Sequence, residues 1–144
     1  MMSIGSALEV SKRSLTLVEQ KDKLGWLALF DDDAVVADPV GVSPLDPDGE
    51  GHCGIIAIEA FWDNIIGPGQ LQSKIRESYE SGDSVANLLT LTGTLADGTV
   101  IHIKNVSVLR VNSVGKIMSI HAYWNYKLVQ DDLNRALTNR DSNE

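Results

Sequence analysis

Residues 25–41 read GWLALFDDDAVVADPVG, and the hydrophobic pattern changes twice along this stretch. Asp22, just before it, reads as an N-cap for a short helix carrying Leu24, Trp26, Leu27 and Phe30. The acidic run Asp31 to Asp33 closes that helix, and Ala34 to Asp38 then reads as a strand stopped by Pro39. On such a strand Ala34, Val36 and Asp38 share one face, and Val35 and Ala37 share the other. Every position except Asp38 is apolar, so its carboxyl sits at the end of an apolar stripe. A carboxyl in that setting loses solvation, and its pKa rises toward the range useful to a general base. Asp-Pro is also a common way to start a turn, so Asp38 reads equally as a turn cap.

Outward from this point, the chain shows one helix before the stretch and a run of strands after it. From Ser6 to Lys21, Leu8, Leu15 and Val18 recur at helical spacing, with Val10 and Leu17 on an adjoining row and Ser3 or Ser6 as the cap. Residues 41–53, GVSPLDPDGEGHC, combine prolines, glycines and acids, which predicts a surface loop. Ile55, Ile58, Phe61, Trp62 and Ile65 predict a helix over 55–66, ended by Gly67-Pro68-Gly69. Residues 71–80, 85–95, 99–112 and 117–127 are β-branched or alternating and are separated by short turns, which predicts antiparallel hairpins. The tail after Val129 is polar and reads either as a short helix through Leu133 and Leu137 or as a frayed end. Helices packed on one side of an antiparallel sheet give an α+β fold in a single domain covering 1–144.

Composition narrows the function. The chain has 144 residues, 43% of them hydrophobic, which suits one globular core. A formal net charge of -8 argues against nucleic acid and against anionic membrane surfaces as partners. A lone cysteine, Cys53, and no apolar run of signal-peptide or membrane-span length predict a cytoplasmic protein. His52 and Cys53 lie beside Asp46, Asp48 and Glu50, yet no spacing supports a metal site. That loop reads as a flexible lid or a solvated turn. No cofactor is predicted.

The stretch 25–41 followed by Ile56 to Trp62, together with Val108 to Lys116 and Ala122-Tyr-Trp-Asn, resembles the ketosteroid isomerase (steroid delta-isomerase) branch of the nuclear transport factor-like, SnoaL-like superfamily. The resemblance covers roughly residues 8–127, and its most specific part is the D-D-A-x-x-x-D-P-x-G core. It implies a cone-shaped roll in which a curved antiparallel sheet wraps over three N-terminal helices and encloses an apolar pocket for a steroid-like ligand. It also implies a homodimer through the outer sheet face. In that family an aspartate moves a proton from the carbon beside a ketone to one two carbons away, while a tyrosine and a protonated aspartic acid hold the enolate oxygen.

Carried over by position, the base falls on Asp38, the oxyanion tyrosine on Ser14 and the oxyanion aspartic acid on Ser107. Two supporting tyrosines fall on Phe30 and Trp62, and the pocket tryptophan of the last strand falls on Trp124. The base is therefore kept and both strong donors are replaced. Loss of one such donor commonly costs about 3 kcal/mol of transition-state stabilisation, so turnover slower than in fully equipped members is expected.

Asn105 and Ser107 share a strand face with Leu109, and Ser14 shares a helix row with Val10 and Leu17. These polar groups read either as a substitute oxyanion site or as satisfied core residues. Alternation places Ile120, Ala122 and Trp124 toward the pocket beside Val36, Phe30, Trp62 and Leu109, and turns His121 outward to the dimer face. Trp26 and Phe61 read as core. Three functions follow: a weak steroid-type isomerase, a non-catalytic carrier of a steroid or polyketide-type ligand, and, last, an epoxide hydrolase or cyclase, for which no inward Asp-Arg-Asp set is found.

Overall fold

The computed structural model describes residues 6–95 and 97–131. The predicted tail helix through Leu133 and Leu137 lies outside them.

Helix α1 (Ala7–Glu19) starts where Ser6 Oγ accepts a hydrogen bond from the Glu9 amide at 3.1 Å. Its most buried row is Ala7, Ser11, Ser14 and Leu17. The larger residues Leu8, Val10, Leu15 and Val18 flank that row and are only partly buried. The helix thus presents its small side chains to the interior. Asp22 caps α2 (Lys23–Leu27) by accepting from the Gly25 amide at 2.9 Å.

Strand β1 (Phe30–Ala37) begins earlier than predicted, because the acidic run lies within it rather than ending the helix. The register to its neighbour shifts between Phe30 and Val35, and this irregularity leaves Asp32 and Asp33 exposed. The loop that follows contains a short strand, β2 (His52–Cys53), paired antiparallel with Val35 and Val36. Helix α3 (Ile55–Phe61) runs into one π-helical turn, Trp62–Ile66. Four long strands follow: β3 (Gln70–Ser81), β4 (Ser84–Thr94), β5 (Val100–Val111) and β6 (Ile117–Tyr123).

The six strands form one sheet in the order β2-β1-β6-β5-β4-β3. β3 to β6 are antiparallel as expected, but β1 joins β6 in parallel, so the sheet is mixed. Register shifts at Ile75/Glu77 and Arg110/Val111 add local bend and twist to the sheet. The result is an α+β cone. Its inner face carries Val85, Asn87 and Leu89 of β4, Asn105 and Leu109 of β5, and Ala122 of β6. α1 lies across β3, β4 and β5.

One cation locks the helical layer. Lys21, at φ 59°, follows α1, and its Nζ donates to the carbonyls of Ile66 (2.9 Å), Gly67 (2.6 Å) and Gly69. These are the carbonyls freed where the π-turn ends. No helix among the described residues is long and apolar enough to cross a membrane.

Candidate functional site

Between the helices and the inner sheet face lies a cavity of about 190 Å³. Asp38, Val36, Leu109, Ile120, Ala122, Trp124, Ser14, Asn105 and Ser107 all lie on its wall. Asp38 directly follows the last residue of β1, in a cis peptide to Pro39. The chain beyond it is tied to β6 by the Val40 amide, which donates to the Ala122 carbonyl at 2.9 Å. The carboxylate is therefore held beside β6. There Trp124 Nε1 donates to its Oδ1 at 2.5 Å.

Desolvation by the surrounding apolar wall raises the Asp38 pKa above its ordinary value of 3.8. The Trp124 hydrogen bond and the charge of nearby His52 act the other way and favour the carboxylate. Burial is the larger effect. The group is thus a carboxylate with raised proton affinity, oriented by one indole.

Ser11, Ser14 and Asn87, also on the wall, have protein partners. Ser14 Oγ accepts from Trp26 Nε1 at 3.0 Å. Asn87 Nδ2 donates to Ser11 Oγ at 3.0 Å, while its Oδ1 accepts from Ser78 at 2.6 Å. Ser11 in turn donates to the Leu8 carbonyl at 2.8 Å. Asn105, also buried, is not among these partnered groups. It is 6% exposed, and its Oδ1 has no hydrogen-bond partner among the described residues.

Some positions fall elsewhere than the sequence suggested. Phe30 and Trp62, expected in the pocket, are not on the cavity wall. They pack against Trp26, with ring centroids at 4.6 Å and 5.3 Å. Trp26 and Phe61 lie in the core as expected and also reach the cavity wall. The cause is geometric: α2 is short, so Trp26 comes between β1 and the π-turn and takes the inner layer.

The loop 41–53 also differs from a flexible lid or solvated turn. Ser43 and Asp46 bridge to one another, and the Gly51 amide donates to Asp46 Oδ2 at 2.8 Å. Asp46 is 6% exposed, and Leu45 beside it reaches the cavity. Gly51 has φ +87°, and a Cβ there would meet Val35 Cγ1 at 2.8 Å, so only glycine lets the loop cross β1 this closely. His52 pairs with Val36, packs its ring at a tilt against Phe61 with centroids 4.8 Å apart, and buries Nε2 without a partner among the described residues. The described residues contain no cluster of three or more His, Cys, Asp or Glu placed to hold a metal.

Sequence reasoning missed Ser11, Asn87 and Leu45. The alternation Val85-Asn87-Leu89 carried a signal for Asn87, and the three-residue step from Ser11 to Ser14 carried one for Ser11. Nothing local marked Leu45.

A family model described as a SnoaL-like domain matches residues 12–120. The chain belongs to the SnoaL-like family. Among solved structures, this SnoaL-like chain is similar to RV0760c from Mycobacterium tuberculosis in complex with estradiol-17beta-hemisuccinate: 37% identity over 83% of this chain and 93% of that one, TM-score 0.79. It is also similar to the Delta 5-3-ketosteroid isomerase from Mycobacterium sp.: 36% identity over 84% and 94%, TM-score 0.80. An LEH-like epoxide hydrolase from M. tuberculosis shares the fold at 18% identity, covering 96% of each chain with TM-score 0.74. No curated protein matches the chain.

Proposed function

We propose that this protein takes a steroid-like apolar carbonyl compound into its cavity and that Asp38 acts there as a general base for intramolecular proton transfer. The observation that carries this reading is the Asp38 carboxylate itself: desolvated on an apolar wall, raised in proton affinity, and aimed by Trp124. The likeness to a steroid complex and to a ketosteroid isomerase supports the ligand class.

In the step proposed, a C–H bond beside the ligand carbonyl breaks and its proton passes to Asp38. The electron pair moves onto the carbonyl oxygen as an enolate. Asp38 then returns the same proton to a carbon further along, so no redox partner is consumed. The raised pKa brings the base closer to the proton it must abstract, and the apolar wall keeps water from protonating the enolate. Ser14 bears on the rate. Its hydroxyl oxygen is engaged by Trp26, and a serine hydroxyl is a shorter and weaker donor than a phenol.

That same engagement favours a second reading, a carrier that holds the ligand without turning it over. A Δ5-3-oxo steroid separates the two. Slow conversion to the conjugated isomer, lost in Asp38→Asn, supports the base. Equal rates in both proteins would falsify it for that substrate, and tight binding without turnover establishes the carrier. We further propose a homodimer through the outer sheet face, on which His121 and Tyr123 stand.

A further inference from the structure

We infer that His52 and Asp38 form one coupled pair across the β1–β2 edge, so that the imidazole governs the strength of the base without touching the ligand. His52 is then a positioning residue for the proton transfer proposed above, and the inference rests on that reading for its effect on turnover.

The first argument is register. His52 pairs with Val36 across an antiparallel ladder, so the two side chains share a sheet face. Val36 is on the cavity wall, and Asp38 stands two residues further along on that face. Asp38 and His52 are therefore diagonal cross-strand neighbours, about 7–8 Å apart at the backbone and within reach of a ring. The two segments run close here: a Cβ on Gly51 would stand 3.4 Å from the Val36 carbonyl oxygen and 3.5 Å from Ala37 Cβ. The second argument is burial. The His52 ring packs against Phe61, which is itself on the cavity wall, and Nε2 is buried with no hydrogen-bond partner among the described residues. Water screens a charge on that ring poorly, and the nearby carboxylate feels it: a charged His52 favours ionised Asp38.

The other ionisable groups around this pair are committed or turned away. In the same loop Asp46 accepts from the Gly51 amide, Glu50 is exposed, and Cys53 is exposed on the opposite face of β2. On α3, Glu59 is paired with Lys23 at 3.1 Å. β6 contributes His121, which is level with Ala37 and shares that residue's face, away from Asp38. No Lys or Arg stands on the cavity wall, so among the described residues His52 is the cation that acts on Asp38. The consequence is chemical. Taking a proton from the ligand makes Asp38 neutral. An imidazolium beside it opposes that change, and a neutral imidazole does not. Turnover is therefore faster once His52 has lost its proton.

The test uses the full chain and reads both partners, because coupling between two proton sites is reciprocal. Carbon NMR is expected to place the Asp38 midpoint higher in His52→Gln than in wild type by about one pH unit, the scale for charges this far apart near a protein surface. Proton NMR of the imidazole is expected to place the His52 midpoint lower in Asp38→Asn by a similar amount. Either midpoint unmoved overturns the inference. The Asp38→Asn arm leaves His52 and Asp46 in place, so it decides the matter where His52→Gln does not fold. In kinetics on a Δ5-3-oxo steroid, the rise of kcat/KM at the His52 midpoint in wild type is expected to vanish in His52→Gln, and a rise that persists there also overturns the inference. Coupled midpoints with no turnover of that steroid overturn the base reading and leave the pair standing.

Discussion

Replacing Trp124 with phenylalanine removes the N–H that reaches Asp38 Oδ1 at 2.5 Å while keeping an aromatic ring on the wall. Hydrogen bonds to charged groups contribute about 1.5–3 kcal/mol net. One pH unit of pKa corresponds to about 1.4 kcal/mol. Because the indole favours the carboxylate and burial opposes it, deletion leaves burial less opposed. The Asp38 titration is therefore expected to move upward by about one to two pH units relative to wild type. The assay is carbon NMR of labelled aspartate side chains across pH, with Asp38→Asn identifying the resonance. Where turnover is measurable, the acid limb of its pH profile moves up by the same amount. A midpoint that stays put or falls refutes the claim that this indole orients and stabilises the base. In that event the short contact has no energetic role.

Three further outcomes follow from the same structure. The Asp38 pKa is raised in the folded chain, so this group's contribution to stability is present below about pH 3.8 and is lost as pH rises through the folded midpoint. Asp38→Asn is therefore expected to be more stable than wild type at neutral pH in urea titrations, the gap closing as pH falls toward that value; a gap independent of pH contradicts the burial argument. Lys21→Met keeps the aliphatic stem but abandons the carbonyls of Ile66, Gly67 and Gly69, and is expected to cost about 2 kcal/mol in the same assay. Because Ile65 and Ile66 lie on the cavity wall, that variant is also expected to bind apolar ligands more weakly. Asp46→Ala strands the Gly51 amide and is expected to cost about 1–2 kcal/mol, with faster proteolysis confined to residues 41–51; unchanged cleavage there shows that the loop is held by other contacts.

The fold was legible where a pattern repeats over many residues. Four alternating runs became β3 to β6, and the helical rows in 6–21 and 55–66 became α1 and α3 with its π-turn. Asp38 was legible because an acid ending an apolar strand contradicts its surroundings. Three things could not be read locally. The parallel pairing of β1 with β6 joins segments some eighty residues apart, and neither strand's own pattern encodes its neighbour's direction. Phe30 and Trp62 were expected in the pocket, but they pack against Trp26 away from the cavity wall, a contact between separate elements that helical spacing does not encode. Strand β2 hides in a stretch of prolines and glycines because its pairing needs only His52 and Cys53 and is supported by the buried Asp46.

The serines of α1 explain why a cavity exists here at all. A helix that packs its centre line on a sheet normally fills the gap with large apolar side chains. Here that line reads Ala7, Ser11, Ser14, Leu17, and the leucines and valines stand to either side. The small side chains leave volume beneath the helix. Their hydroxyls are then satisfied by Asn87 from the sheet and Trp26 from α2, so the open space carries little polar cost. The polarity of α1 and Asn87 that faces the cavity is therefore already committed within the protein. Asp38, with its raised proton affinity, and the unpartnered Asn105 Oδ1 both lie on the wall of that space.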